Sequence, residues 1–188
     1  LGGLVAMLGR VEGVEWIRLM YCHPDHLDDR VIGILTEGGR VVPYLDVPFQ
    51  HASADILRSM GRKGDAASYL SLVERLRTEV PGIRIRSTFM VGYPGETDAD
   101  FDELARFVEQ ARLDRVGAFV YSAEEGTRAF GLGDTVPARV KKERHRRLMS
   151  LQQEISAARL AGMIGSEVRV LVEEQIEETT WAGRTEYD

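Results

Sequence analysis

Gly92, Pro94 and Gly95 stand directly after a short apolar run, within the segment RSTFMVGYPGET at positions 86–97. Glycine lets a ligand approach the backbone closely because it has no side chain, although the same residues also form ordinary tight turns. The segment is neither a phosphate-binding loop with a Gly-Lys-Ser/Thr ending nor a dinucleotide fingerprint. Thr97 is predicted to cap a helix whose first turn is rich in carboxylates. The residues indicate a candidate ligand site at a strand-to-helix turn, with a simple turn as the equal alternative.

Two further clusters contain side chains that could do chemistry. Cys22, His23 and His26 are potential metal ligands, but no fourth partner stands nearby in the sequence, so an ordinary loop is favoured. Glu124 and Glu125 could act as an acid and a base, yet adjacent carboxylates in a loop are usually just solvated. No Ser/His/Asp or Cys/His constellation can be assembled, so the catalytic residues stay unassigned.

These groups follow predicted strands of an α/β fold. Hydrophobic patterns predict a first helix that ends near Gly13, then strands at 14–21, 41–47, 83–91 and 115–121, with helices at 27–37, 55–60, 66–80 and 98–111 between them. Apolar strands that alternate with helices are typical of a parallel sheet covered by helices. In an open or closed β/α barrel the loops after the strands form the active face, so the four loops are expected to converge. Gln50, His51 and Ser53 follow the second strand, where a helix cap with a solvated neighbour is the favoured interpretation of these residues alone.

The C-terminal part of the chain has a different pattern. A long helix is predicted at 137–161, and its basic run is interpreted as a solvent-exposed face, with docking as the less favoured alternative; the run comprises Arg139, Lys141, Lys142, Arg144, Arg146 and Arg147. Strict alternation at 167–173 predicts an antiparallel strand. The predicted organisation is a partial barrel at 1–135, a linker helix at 136–163 and the beginning of a small β-domain at 164–188.

Composition restricts the functional classes. The 188 residues carry 30 acidic and 24 basic side chains, and the net charge of -6 argues against general binding of phosphate backbones and suits a basic protein partner. A single cysteine excludes an internal disulfide and any multi-cysteine metal site within these residues. No apolar run is long enough to span a bilayer, and a cytoplasmic location is expected. The chain begins at Leu1 and ends in a polar stretch, so we expect a fragment.

Several motifs resemble those of radical S-adenosylmethionine methylthiotransferases. GYPGET at 92–97 and YSAEEGT at 121–127 each follow an apolar strand, as in the latter half of these enzymes. YLDVPFQHAS at 44–53, with Ile56, Leu57, Met60 and Arg62 after it, is similar to the RimO-type subgroup. LMSLQQEIS at 148–156 and the strand that follows Gly165 resemble the linker helix and the start of a TRAM domain. The resemblance covers essentially the whole chain.

This resemblance implies a partial, TIM-like radical S-adenosylmethionine barrel followed by the start of an antiparallel TRAM domain. RimO-type enzymes add a methylthio group to the β-carbon of an aspartate in a small-subunit ribosomal protein. They use S-adenosylmethionine, two 4Fe-4S clusters and an electron donor protein. An intact TRAM domain with a basic face would instead favour a tRNA methylthiotransferase of the MiaB type. The acidic residues of the segment argue against nucleic acid as the direct substrate: Glu173, Glu174, Glu177 and Glu178.

The resemblance also suggests cofactor-binding positions at the strand ends: Gln50, Ser53, Met90, Gly92, Tyr121 and Ser122. The family's Cys-x3-Cys-x2-Cys motif and its N-terminal cysteines are absent, and Cys22 cannot replace them, so no metal ligand is predicted here. The chain alone is therefore expected to be inactive, and a non-catalytic ligand-binding barrel fragment remains an alternative. Because a half barrel exposes sheet edges, we also expect poor solubility when the chain is expressed by itself.

Overall fold

A four-stranded parallel sheet with helices packed on it forms the main body of the computed structural model, which describes residues 1–187. The strands lie in the order β1-β2-β3-β4 and comprise β1 (Ile17–Leu19), β2 (Val41–Asp46), β3 (Arg84–Val91) and β4 (Arg115–Val120). The helices are α1 (Gly2–Leu8), α2 (Asp29–Glu37), α3 (Ala54–Ser59), α4 (Ala66–Glu79), α5 (Asp98–Ala111) and α6 (Ala138–Ala161). Short 3₁₀ helices occupy Pro24–His26 and Arg128–Leu132. The predicted parallel α/β architecture is confirmed.

Local capping explains where the central helices begin. The Thr97 hydroxyl accepts a hydrogen bond from the Asp100 N–H, and the Asp100 carboxylate accepts one from the Thr97 N–H, which forms a reciprocal capping box at the start of α5. Asp65 and Ser68 form the same arrangement at the start of α4. The prediction that Thr97 caps the helix after the glycine turn is confirmed.

The core lies between one face of the sheet and helices α2, α4 and α5. Burial alternates along β3, so that Ile85 and Phe89 point into this core while Arg84 and Met90 lie half-buried on the opposite face. Three fully buried phenylalanines are packed together there, with ring centroids 6.5 Å apart for Phe49–Phe89, 5.6 Å for Phe49–Phe107 and 6.0 Å for Phe89–Phe107. This cluster fixes β2 and β3, whose carboxyl ends carry most of the candidate residues.

The first two predicted elements are shorter than expected. β1 spans only Ile17–Leu19, its pairing with β2 is irregular within that span, and Tyr21 beyond it has a left-handed backbone with φ 56°. The first helix ends at Leu8 and not near Gly13; it buries Val5, whereas Leu4 and Leu8 are exposed.

The prediction that the basic run of α6 is a solvent-exposed face is wrong for two of its residues. Lys141 and Arg144 are only 3% and 6% exposed. Their spacing continues into a stripe of buried residues along the helix, which includes Leu148, Gln152 and Ile155. The helix therefore packs against β4 and α5 through a face that is partly cationic.

A separate two-stranded sheet follows α6. Its strands are β5 (Val170–Glu177) and β6 (Thr180–Thr185), and they pair antiparallel, as the alternating pattern predicted. β5 begins three residues later than Glu167. Arg18 donates a hydrogen bond to the Thr185 carbonyl at 3.0 Å, and the Arg84 guanidinium lies 4.7 Å from the ring centroid of Tyr187. The hairpin thus contacts the amino-terminal half of the parallel sheet.

Candidate functional site

The loop after β2 combines a strained backbone with buried polar side chains. Gln50 has a φ of 71°, although it is not glycine, and its peptide continues the sheet: its N–H donates to the Thr88 carbonyl at 2.9 Å and its carbonyl accepts from the Met90 N–H at 2.8 Å. A left-handed conformation at a non-glycine residue costs about 1–2 kcal/mol. Strain of this kind is often found at ligand-binding sites. Gln50 is therefore held firmly at the edge where β2 and β3 end.

The expected helix cap with a solvated neighbour is wrong. His51 is completely buried, and its Nδ1 accepts a hydrogen bond from the Ser53 N–H at 3.0 Å, which places the proton of the neutral ring on Nε2. Ser53 occupies the position before α3 but makes no capping bond with its side chain. Its hydroxyl donates instead to Asp100 Oδ1 at 2.6 Å. The β2 loop is thereby fastened to the start of α5.

Glu96 is the centre of a buried network that joins three segments. Its Oε2 accepts hydrogen bonds from the backbone N–H groups of Gly92 at 2.7 Å and Tyr93 at 3.3 Å. Its Oε1 accepts from the Arg144 guanidinium at 2.8 Å. Nε2 of His51 lies 3.6 Å from Oε2, and both side chains are fully buried. One carboxylate thus fixes the glycine turn after β3, the loop after β2 and helix α6 relative to one another.

Gly92 is required by the protein's own packing. Its φ is 75°, and a Cβ atom there would lie 2.8 Å from Cδ of Lys141. The ammonium group of Lys141 donates to the Tyr121 carbonyl at 3.1 Å and forms an ion pair with Asp134. Lys141 of α6 occupies the space that a side chain at Gly92 would need. A ligand would therefore have to approach the turn from another direction.

A small apolar cluster lies where β3 and β4 end. The rings of Tyr93 and Tyr121 meet edge to face with centroids 5.4 Å apart, and Ile56 and Met90 pack against them. The Tyr121 hydroxyl is buried and has no hydrogen-bond partner within residues 1–187. Ser122, the next residue, is exposed. Apolar surface beside an unsatisfied hydroxyl is an arrangement that can receive a flat, partly polar group such as a nucleobase.

The loop after β1 does not form a recognisable metal site. Cys22 is buried, and burial raises the pKa of its thiol. Nδ1 of His23 accepts a hydrogen bond from the Asp25 N–H at 3.3 Å, which makes it a local cap. Over residues 1–187 no group of three or more His, Cys, Asp or Glu side chains is placed to hold a metal ion. Within the same range, no helix is both long and apolar enough to cross a membrane.

The structure also brings forward residues that sequence reasoning missed. Asp46 ends β2 with 1% exposure, and its Oδ1 has no hydrogen-bond partner in the described chain. In the sequence, Glu96 stands out only as one residue of the GYPGET motif, and Arg144 only as one cation of the basic run. The three-to-four-residue spacing that relates Lys141 and Arg144 to Leu148 could have shown that they share one face of α6, although not that this face is buried. Glu124 and Glu125 are exposed, in agreement with the simpler interpretation.

Comparison with known proteins agrees with this geometry. The family model of the Radical SAM superfamily matches residues 2–108. Ribosomal protein uS12 methylthiotransferase RimO of Desulforamulus reducens is 43% identical over 187 residues, which cover 98% of this chain and 42% of that protein. The RimO proteins of Moorella thermoacetica and Methylococcus capsulatus are 50% and 52% identical, and this chain covers 39% and 38% of them. The chain thus spans well under half of these curated relatives.

Two solved structures share the fold. Coproporphyrinogen III oxidase (HemN) from Escherichia coli, a radical SAM enzyme, superposes with a TM-score of 0.57 at 14% identity, over 90% of this chain and 38% of that one. Elp3 from Methanocaldococcus infernus gives a TM-score of 0.53 at 16% identity, over 72% of this chain and 32% of that one. The resemblance to RimO-type methylthiotransferases is confirmed by the sequence matches, and the chain belongs to the radical SAM superfamily.

Proposed function

We propose that this chain is part of an enzyme that adds a methylthio group to the β-carbon of an aspartate in ribosomal protein uS12. The observation that carries the proposal is the 43% identity to a RimO protein over 98% of the chain. The net charge of -6 supports it, because an acidic enzyme attracts a basic ribosomal protein. In this assignment 1–135 belongs to the barrel, 136–163 is a linker helix and 164–188 begins a TRAM domain.

The strand-end residues fit S-adenosylmethionine, which supplies a 5′-deoxyadenosyl radical after reductive cleavage. Met90 and Tyr121 would contact the adenine through the apolar cluster, and the orphaned Tyr121 hydroxyl supplies a hydrogen-bond donor there. Gly92, whose N–H donates to Glu96, would offer its backbone carbonyl. Gln50 and Ser53 would position the polar portion of the cofactor from the β2 loop, and Ser122 would do so from the β4 loop.

The described residues do not fit an iron–sulfur cluster. Cys22 is the only cysteine, and it is buried among apolar side chains. Such clusters are usually held by several thiolates. We therefore propose that the ligands of two 4Fe-4S clusters, and the surface for an electron donor protein, lie outside this chain. The chain's own contribution is to bind the cofactor, to orient it and to exclude water. The reaction would take place in the cytoplasm, where ribosomes are modified.

The first test is iron and acid-labile sulfide content of the intact, anaerobically reconstituted protein. About eight irons per chain would support two 4Fe-4S clusters, whereas about four would leave a radical enzyme without a sulfur-supplying cluster. The reconstituted protein is then assayed with a uS12 peptide and, in parallel, with tRNA. Methylthiolation of the peptide alone is expected. Modification of tRNA alone would show a MiaB-type enzyme, and absence of iron would leave only a binding domain.

A further inference from the structure

Four arginines converge at the amino-terminal end of the sheet, opposite the strand-end site. Arg77 lies in the last turn of α4, Arg84 begins β3, Arg112 directly follows α5, and Arg159 lies in the last turn of α6. Three helices and one strand thus each direct a cation to the same place. They line a surface cavity of about 280 Å³ together with Gly82 and Ile83.

One carboxylate pairs with two of the four arginines. Asp114 accepts hydrogen bonds from Arg84 at 3.1 Å and from Arg159 at 2.6 Å, and also from the Ile85 N–H at 3.0 Å. Arg77 uses one guanidinium nitrogen to bind the Arg112 carbonyl at 2.8 Å. Internal contacts therefore account for part of the hydrogen-bonding capacity of three arginines: Arg84 and Arg159 form ion pairs, and Arg77 caps a helix carbonyl.

The remaining donors are not explained by internal contacts. Nε of Arg77 and Nε of Arg84 are buried and have no hydrogen-bond partner within residues 1–187. The guanidinium of Arg112 makes no ion pair with any residue in that range. Burial lowers the pKa of Arg77, the positive charges of Arg159 and Arg112 lower it further, and Asp114 opposes the shift. Mutually repelling cations that line one cavity are stabilised by a bound anion.

Arg112 stands at a position that favours glycine. It follows the last residue of α5 with φ 43° and ψ 52°, which is the left-handed conformation that usually ends a helix with glycine or asparagine. The backbone carbonyl of residue 112 can accept the hydrogen bond from Arg77 regardless of which side chain stands at this position. The backbone conformation thus disfavours an arginine here; its charge is favourable at the carboxyl end of α5, and the side chain adds a fourth cation to the cavity.

We propose that the cavity lined by Arg77, Arg84, Arg112 and Arg159 binds a phosphate-type oxyanion. Guanidinium groups match tetrahedral oxyanions because their N–H donors bind two oxygens at once. The chain is acidic overall, so the cluster is a local exception that suits a single phosphate group. That phosphate could belong to a small phosphorylated molecule or to an RNA backbone. The proposal is independent of the methylthiotransferase assignment.

Calorimetric titration of the intact protein with inorganic phosphate, in a phosphate-free buffer, tests the site. Arg112→Gly removes the fourth cation and suits the left-handed backbone, so it is expected to fold normally and to weaken phosphate binding by about tenfold. Arg77→Gln should weaken binding similarly. Arg58→Gln is the matched control, because Arg58 is an exposed arginine paired with Asp55 at the other end of the sheet. Its phosphate affinity should equal that of the wild type.

A second titration with a short single-stranded RNA separates the two sources of phosphate. The ligand is an RNA phosphate if the RNA binds and Arg112→Gly weakens this binding. The salt dependence of the affinity should then correspond to about one phosphate contact. Binding of inorganic phosphate without RNA binding would identify a small phosphorylated ligand. The proposal is overturned if phosphate does not bind at concentrations up to about 20 mM, or if Arg112→Gly and Arg58→Gln bind it equally well.

Discussion

At the scale of single residues, Glu96 is the side chain on which the strand-end site depends most. Its carboxylate is fully buried, and it satisfies two backbone N–H groups and the 7% exposed side chain of Arg144. Glu96→Ala would leave two buried backbone N–H groups without an acceptor and Arg144 with only the exposed Asp98 as an ion-pair partner, which costs about 3–5 kcal/mol of unfolding free energy. Glu96→Gln keeps an acceptor for the Gly92 N–H and should cost about 1–3 kcal/mol. Urea unfolding measures both values.

Glu143 provides the control for Glu96, because it forms an exposed ion pair with Arg146 on the same helix. Glu143→Ala is expected to change the unfolding free energy by less than about 0.5 kcal/mol. A similar loss for Glu96→Ala and Glu143→Ala would show that Glu96 does not hold the three segments together.

Asp46 gives a pH-dependent prediction. Burial raises the pKa of its carboxyl group above the ordinary value of 3.8, and the Tyr21 N–H and Arg86 only partly oppose the shift. Because the folded-state pKa is the higher one, the stabilising contribution of the neutral carboxyl is complete below pH 3.8 and is lost as the pH rises through the raised pKa. Asp46→Asn stays neutral and can still accept the Tyr21 hydrogen bond. It should therefore be more stable than the wild type near neutral pH.

Urea unfolding over a range of pH tests this expectation for Asp46. The advantage of Asp46→Asn should shrink as the pH falls through the raised pKa and should be smallest below pH 3.8. Asp55→Asn is the matched comparison for the loss of a carboxylate at an exposed position, since the Asp55 side chain is 82% exposed. A stability difference at Asp46 that is the same at every pH would contradict the prediction.

At the scale of elements, the turn between β3 and α5 is shaped by the helix that packs over it. Gly92 and Gly95 both have positive φ, at 75° and 86°, but only Gly92 has Lys141 against it, whereas a Cβ at Gly95 would meet no atom within 4 Å. Gly95→Ala should therefore cost about 1–2 kcal/mol for the left-handed backbone alone. Gly92→Ala should cost a further 1–3 kcal/mol, roughly, because α6 must shift. Thermal unfolding measures both losses of stability. If Gly92→Ala and Gly95→Ala lose the same amount, the Lys141 side chain moves aside without an energetic cost.

The elements also show which features a sequence can reveal. The strand-helix alternation, the cap at Thr97 and the antiparallel hairpin follow from local rules of periodicity and hydrogen bonding, so they were predictable. The burial of His51, Lys141 and Arg144 was not, because it depends on partners distant in sequence: Arg144 meets Glu96 only after α6 packs against α5. Charged residues were assigned to solvent because unpaired charges are costly to bury, and the sequence does not show the pairing.

Contacts between segments that are distant in sequence also limited what could be predicted about the candidate site. The four strand ends could be located from the sequence, and parallel pairing brings them to one edge. The backbone strain at Gln50 and the engagement of Ser53 with Asp100 could not, since both arise from contacts between loops. The binding roles of these residues remain predictions, and cofactor titration of the intact protein with single alanine variants would measure them.

At the scale of the whole molecule, the parallel sheet has two edges that differ in how they are protected. α6 lies along β4, where a ring nitrogen of His145 hydrogen-bonds the Ala118 carbonyl at 3.0 Å and Lys141 binds the Tyr121 carbonyl. At the other edge, β1 has no further strand beside it in the described chain. Phe119 is 62% exposed, beside the half-buried Met90. Unpaired strands and exposed apolar side chains promote association between molecules.

The 188-residue chain expressed by itself is therefore expected to self-associate in a concentration-dependent way, which light scattering after size-exclusion chromatography would detect. Phe119→Lys should increase the monomer fraction, because a cation on this face opposes the burial of Phe119 against a second molecule. Ile164→Lys is the matched control: Ile164 is 86% exposed but lies in the turn after α6 and not on a strand. If Ile164→Lys restores the monomer as well as Phe119→Lys does, general apolar exposure and not the open sheet drives association. A wild-type chain that is monomeric at all concentrations would contradict the prediction.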